Sequence, residues 1–145
     1  MSPEREREYA ELHAYLDYYS THVIGIAPTD PVHPAAVEKR IVAEYGRSKA
    51  LEGLKQAVND TVEELSGQSL EYVQRLDAAL RENGILSVSE VRRRYDLSYK
   101  RIMKRGRIKN ETEYYLIAGV LADYSSLAST EERALLEQLV AKYGA

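Results

Sequence analysis

The stretch SVSEVRRRYDLSYKRIMKRGRIKNETEYYLIAGVLAD, residues 87–123, contains most of the signals that decide the fold. Ser87 and Glu90 form a capping box, which predicts the start of a short helix. That helix should end at a tight turn over residues 96–98, whose last serine is placed to cap a second short helix. Gly106 should end the second helix, because glycine is the usual residue just past a helix C-terminus. The first part of the stretch therefore predicts two short helices joined by a turn.

The second part of the stretch predicts a longer and more apolar helix. Asn110 and Glu113 resemble a capping box with asparagine in the first position. The sequence that follows, EYYLIAGVLAD, is apolar on nearly every side rather than along one stripe. A helix of this kind is usually buried all round. We therefore expect this helix at the centre of the core.

Helical signals continue outside that stretch. Ser2 followed by Pro3 is a favourable helix start, and the helix should run to about Tyr19. The repeat of Val37, Ile41 and Tyr45 at every fourth residue predicts another helix. A final helix should turn four apolar side chains inward: Leu135, Leu136, Leu139 and Tyr143. The sequence thus predicts helices along almost the whole chain.

The predicted architecture is an all-α, compact single-domain bundle of about seven or eight short helices over residues 1–145. No segment alternates apolar and polar residues with the period of two expected for a strand. Residues 25–34 hold three of the four prolines and predict a connector. That connector leaves the N-terminal helix, within residues 1–24, as an element that we expect to be semi-detached.

Composition limits the class of protein. Cysteine is absent, which agrees with a reducing compartment. No apolar run reaches the roughly 20 residues needed to span a bilayer. The N-terminal MSPEREREYAEL is charged where a secretion signal would be apolar. We therefore expect a cytoplasmic protein that is not embedded in a membrane.

The sequence gives few signs of catalysis. It has no glycine-rich phosphate loop, no G-x-S-x-G elbow and no H-E-x-x-H pair. His13 and Asp17 share a predicted helix face, but a metal site needs three or four ligands. The carboxylates are scattered over predicted polar faces. We therefore expect a protein that is not an enzyme and that uses neither a metal nor another cofactor.

Charge is distributed unevenly along the chain. The whole chain has a formal net charge of −3, from 20 basic and 23 acidic residues. Residues 87–109 hold nine of the basic residues and only two of the acids, a net of +7, so the remaining residues carry −10. A local basic patch is the usual electrostatic feature of a protein that binds a polyanion. We call residues 87–109 the basic segment.

Residues 88–108 resemble the helix-turn-helix motif of small bacterial DNA-binding proteins. Val91, Tyr95, Leu97 and Ile102 lie where that motif has the apolar residues that lock its two helices together. In the motif, the second helix enters the major groove and its N-terminal residues meet base edges. The resemblance covers about 20 of the 145 residues and implies a DNA-binding function.

Three positions depart from the motif. Arg92 lies where a small residue usually allows close helix packing, and Asp96 lies where the turn usually has glycine. Arg105 lies where a late apolar contact is usual. The second helix is also short. These departures bear on how closely the two helices can pack.

The resemblance implies two sets of contacts with nucleic acid. The second helix would face the groove with Ser98, Tyr99, Lys100, Arg101 and Lys104, of which Arg101 and Lys104 could reach guanine edges or phosphates. Phosphate contacts would come from Arg92, Arg93, Arg94, Arg107 and Lys109. The alternative interpretation is that these side chains form a solvated surface or pair with the acidic remainder of the chain.

Two functional hypotheses follow from the sequence. The first is a small DNA-binding regulator whose partner is duplex DNA or another polyanion, and which could act as a homodimer as helix-turn-helix proteins commonly do. The second is a protein-binding module of antitoxin or immunity type, which neutralises a partner protein by covering its surface. Twelve tyrosines and strong surface charge of both signs suit such a module.

Overall fold

The computed structural model describes residues 1–144, and every regular element in that range is helical. The elements are α1 (Pro3–Tyr18), a π-helical segment (Tyr19–Ile24), α2 (Pro34–Tyr45), α3 (Arg47–Glu64), α4 (Leu70–Glu82), α5 (Val88–Tyr95), α6 (Leu97–Arg105), α7 (Glu111–Ala122) and α8 (Thr130–Gly144). The predicted all-α fold is confirmed, with eight α-helices in the described range. None of these helices combines the length and apolar character needed to cross a membrane.

Residue contacts divide the chain into two compact units, Met1–Thr61 and Val62–Ala145. The organisation of residues 1–145 as one domain, with residues 1–24 semi-detached, stays a prediction.

In the N-terminal unit, α1 begins as predicted and ends at Tyr18, close to its predicted end near Tyr19. The Ser2 hydroxyl accepts a hydrogen bond from the Arg5 amide, with Pro3 in the first turn. After α1, the chain continues as a π-helical segment up to Gly25, whose φ of 88° suits a residue without a Cβ. The amides of Gly25 and Ile26 both donate to the Ser20 carbonyl and close this end. The sequence pattern did not reveal the π-helical extension, because its side chains follow no distinct spacing.

The connector is fixed to its neighbours by a buried histidine. His33 is fully buried, and its Nδ1 accepts a hydrogen bond of 3.1 Å from the Ala35 amide, which makes it the N-cap of α2. A neutral ring that accepts at Nδ1 carries its hydrogen on Nε2, so Nε2 donates to Thr21 Oγ1 at 2.9 Å. With Pro34 as the first helical residue, α2 begins three residues before the first position of the pattern at Val37.

Within the same unit, α1 and α2 share a hydrogen-bonded carboxylate. The Tyr9 hydroxyl donates to one oxygen of Glu38, and His13 Nδ1 is hydrogen-bonded to the other. Burial and the bond to Glu38 raise the pKa of Tyr9 to about 12. His13 therefore pairs with a residue of α2, and no three His, Asp or Glu side chains within residues 1–144 are grouped as metal ligands.

In the C-terminal unit, α7 is the central helix. It packs against α4, α5, α6 and α8, and its Ile117 and Val120 are almost completely buried. Ile102 of α6 and Leu136 of α8 join them in one apolar cluster. The predicted central position of this nearly all-apolar helix agrees with these contacts.

A buried polar network fixes the start of α5. The Ser87 hydroxyl donates to Asp123, at the end of α7, over 2.5 Å and also accepts the Glu90 amide hydrogen. Ser89 donates its hydroxyl and amide hydrogens to Asp77 of α4. Burial raises the pKa of Asp77, although the bonds from Ser89 act in the opposite direction. The serines of the capping-box region thus tie α5 to α4 and α7.

The prediction for α8 was half correct. Leu136 and Leu139 are buried, as expected. Leu135 and Tyr143 were wrongly predicted to face inward, since they are 51% and 39% exposed. A helix that packs against one neighbouring helix needs an apolar stripe along only one of its sides. In α8, which packs on α7, Leu136 and Leu139 supply that stripe.

We predict that His33→Ala lowers the free energy of unfolding by about 2 kcal/mol, because it removes an N-cap acceptor and leaves a cavity. Urea unfolding followed by circular dichroism measures this change. His33→Asn should lose less, because asparagine is a favourable N-cap residue. An alanine variant as stable as the original chain would contradict the capping role.

Candidate nucleic-acid interface

A single residue joins the two helices of the basic segment. Asp96 follows α5 and precedes α6, and its carboxylate accepts the Ser98 amide hydrogen at 2.8 Å. The predicted turn of residues 96–98 with Ser98 as the cap was therefore wrong. The cap is Asp96, and α6 begins at Leu97. Because Asp96 is extended, with φ −76° and ψ 120°, it does not need the left-handed conformation for which glycine is preferred.

Two residues of the predicted contact set lie in the interior. Tyr99 is 4% exposed, and its hydroxyl donates to Glu132 of α8 at 2.5 Å. Burial, together with that bond, raises the pKa of Tyr99 above its usual value. Arg92 is 5% exposed, and its guanidinium donates to the Leu65 carbonyl at 3.0 Å. The sequence prediction that both face nucleic acid was wrong, because both side chains are buried within the unit.

Two further arginines are bound to a buried carboxylate. Glu90 is 2% exposed; it accepts two hydrogen bonds from Arg93, at 2.8 and 2.9 Å, and one from Arg94 at 2.8 Å. Arg93 also donates to Glu132 at 3.1 Å. Burial alone would raise the pKa of Glu90, but the bonds from both arginines outweigh it and lower that pKa. Arg93 and Arg94 are therefore partly buried ion-pair members rather than freely extended phosphate ligands.

Arg105 is also engaged within the unit. Its guanidinium forms two parallel hydrogen bonds with Glu113 of α7, at 2.7 and 3.1 Å, and another with the Arg107 carbonyl. The paired Arg105 lowers the pKa of Glu113. The position where the helix-turn-helix motif usually has an apolar contact thus holds an ion pair that joins α6 to α7.

Five predicted cations remain exposed. No ion pair or side-chain hydrogen bond is found for them among residues 1–144: Lys100, Arg101, Lys104, Arg107 and Lys109. Residues 97–109 contain six basic residues and no acid, and Glu113 neutralises one of the six, Arg105. This leaves a local charge of +5 on α6 and the loop that follows it. We call these five residues the free cations.

Helix geometry brings three of the free cations together. Lys100, Arg101 and Lys104 are separated by one, three and four residues, so they lie within one arc of about 100° around α6. Tyr99 and Ile102 occupy the opposite, buried side. Leu97 lies in the same arc as the cations and is 63% exposed, while Ser98 is exposed but lies about 60° outside that arc.

No protein-family model, curated protein or solved structure matches this chain.

The structural partners of the basic residues were only partly visible in the sequence. Glu90 lies three and four residues before Arg93 and Arg94, the helical spacing at which ion pairs form. That signal was present, and sequence reasoning missed it. The pairing of Glu132 with Arg93 and Tyr99 joins residues 39 and 33 positions apart, so no local spacing could reveal it.

We predict that Glu90→Gln lowers the free energy of unfolding at pH 7 by about 3 kcal/mol, because it removes the buried carboxylate that Arg93 and Arg94 share. The pKa of Glu90 is lowered in the folded chain, so its contribution is complete above pH 4–5, where the unfolded carboxyl ionises, and is lost as the pH falls below that range.

Urea unfolding at several pH values measures this difference. The gap between Glu90→Gln and the original chain should narrow steadily below about pH 4. Glu131→Gln, on the exposed side of α8, is the matched control and should have little effect at any pH. A gap that stays constant down to pH 3 would contradict the ion-pair role of Glu90.

Proposed function

We propose that this chain is a non-catalytic nucleic-acid-binding protein that holds phosphates with the five free cations. The observation that carries the proposal is their exposure without internal partners on α6 and the loop after it. Nucleic-acid phosphates are the polyanion that such a cluster of lysine and arginine side chains fits, and each phosphate contact releases condensed counterions. The proposal includes a cytoplasmic location and a regulatory role.

The ion pairs beneath α6 support this proposal. The paired Arg105 fixes the end of α6 to α7, and the buried Tyr99 fixes its start to α8. The side of α6 that carries Lys100, Arg101 and Lys104 is therefore held in place, because the opposite side of the helix is fixed to α7 and α8. A surface that is already ordered loses less conformational entropy when it binds.

The contact set that we propose is narrower than the one expected from the sequence. It comprises the five free cations and Ser98 and leaves out the buried Arg92 and Tyr99. Arg93 and Arg94 contribute to the electrostatic field but are held by Glu90. In a helix-turn-helix mode, Arg101 and Lys104 would be the side chains nearest to base edges.

An acidic protein surface is the second candidate partner, of the antitoxin or immunity type. The observation that favours it is Leu97, an exposed apolar side chain among the free cations. Protein interfaces commonly combine an apolar anchor with surrounding charges. Leu97→Ser should weaken such a complex strongly and leave phosphate binding nearly unchanged.

We predict that replacing Lys100, Arg101 and Lys104 together by glutamine lowers the affinity for nucleic acid at least tenfold at roughly 50 mM salt. The slope of log affinity against log salt should also fall by about two, because up to three phosphate contacts are lost. Fluorescence anisotropy with a labelled oligonucleotide at four salt concentrations measures both quantities.

The matched control replaces Lys39, Lys49 and Lys142 by glutamine. These residues are exposed and lie outside the basic segment, and the change in net charge is the same. This control should keep both the affinity and the salt slope of the original chain. If the original chain binds no nucleic acid at about 50 mM salt, the proposed function is wrong.

A further inference from the structure

A cleft of about 450 Å³ lies in the C-terminal unit, next to the start of α6. Its volume is within the range of about 300–1,000 Å³ that is typical of small-ligand sites. One side of the cleft is formed by the end of α3 and the loop after it. A second side is formed by Asp96, between α5 and α6, and by Ser98, and the third by the start of α7. The cleft therefore touches the same helix that carries most of the free cations.

The cleft offers hydrogen-bonding groups that the fold does not use. The Gln68 amide and the hydroxyls of Ser98 and Thr112 make no side-chain hydrogen bond within residues 1–144. Asn110 uses only its oxygen, for the Glu113 amide, so its NH₂ group stays available. The lining also includes Leu116 and Tyr115, and Tyr115 is 37% exposed. An apolar and aromatic wall with several uncommitted polar groups suits a flat heteroaromatic ligand.

Charge inside the cleft argues against a phosphate there. Its lining has the guanidinium of Arg92 and three carboxylates, those of Glu63, Asp96 and Glu113, of which Glu113 is paired with Arg105 outside the lining. Carboxylates repel phosphate but accept hydrogen bonds from the exocyclic amines of nucleobases. Asp96 has one oxygen that the Ser98 amide does not use. The charges inside the cleft thus favour an amine-bearing base, whereas the free cations outside the cleft favour phosphates.

Two free cations flank the cleft along the chain. Ser98 lines the cleft, and Arg101 follows it by three residues, so the two share one side of α6. Lys109 immediately precedes Asn110, which lines the cleft from α7. A strand whose phosphates contact Arg101 and Lys109 would therefore lie close to residues that line the cleft.

We infer that the chain binds single-stranded nucleic acid by placing one unpaired, amine-bearing base in this cleft while the free cations hold the neighbouring phosphates. The inference rests on the proposed nucleic-acid binding and specifies its substrate class. A base can enter only where it is not stacked and paired in a duplex, because its edges and faces are otherwise covered. Stacking on Tyr115 and hydrogen bonds to Gln68 and Asp96 would hold the base.

The test compares four labelled probes of equal length by fluorescence anisotropy at roughly 50 mM salt. They are a single-stranded DNA of mixed sequence, the RNA of the same sequence, the duplex DNA, and a single strand with abasic sites that keeps the phosphates without the bases. We expect the intact single strands to bind about tenfold more tightly than the abasic strand. The ratio between the RNA and DNA arms identifies which strand is preferred.

Two variants test the cleft itself. Tyr115→Ala and Gln68→Ala should each reduce the advantage of the intact strand over the abasic one, without changing the affinity for the abasic strand. Tyr124→Ala and Gln138→Ala are the matched controls, because both residues are exposed and lie outside the cleft lining. These controls should keep the full advantage.

The outcomes separate the two levels of the proposal. Equal affinity for the intact strand and the abasic strand would overturn the base-binding inference and leave phosphate binding by the free cations in place. Tighter binding of the duplex than of either single strand would also overturn it and favour a groove-binding mode. If none of the four probes binds, both the inference and the proposed function are wrong.

Discussion

A buried carboxylate, Glu90, is the constraint on which the C-terminal unit depends. A charge removed from water must be paired and hydrogen-bonded, and Glu90 is paired with Arg93 and Arg94. It also accepts hydrogen bonds from the Ser126 hydroxyl and the Leu127 amide in the loop between α7 and α8. This one side chain therefore connects α5 with that loop and, through Arg93 and Glu132, with α8. The position of α6 follows, because Tyr99 donates to the same Glu132.

The basic segment consequently has two populations of cations with different physical roles. One population donates hydrogen bonds to carbonyl or carboxylate groups inside the unit: Arg92, Arg93, Arg94 and Arg105. A guanidinium group suits this role because it is planar and can donate two parallel hydrogen bonds to one carboxylate. The free cations include three of the four lysines and arginines on α6 and keep their charge in solvent. The formal +7 of the segment thus overstates the charge that a partner could meet.

The sequence predicted features governed by local geometry and missed those governed by tertiary contacts. Capping residues such as Ser87 and Asn110 marked helix starts because their side chains act within three residues. The central position of α7 followed from its apolar residues. The burial of Arg92 and Tyr99 and the cap made by His33 depend on groups that are distant in sequence or on ring orientation. For the candidate site, the sequence located the segment, but only the structure distinguished its free cations from its paired ones.

The division between structural and free cations affects how this surface could vary among related chains. Substitutions at Lys100, Arg101 or Lys104 affect no buried partner, so they should change the charge of this surface with little effect on folding. Changes at Arg93 or Arg105 would instead require compensation at Glu90 or Glu113. Substitutions should therefore accumulate readily on the side of α6 that carries these three cations, whereas changes in the ion pairs beneath it should occur in both partners together.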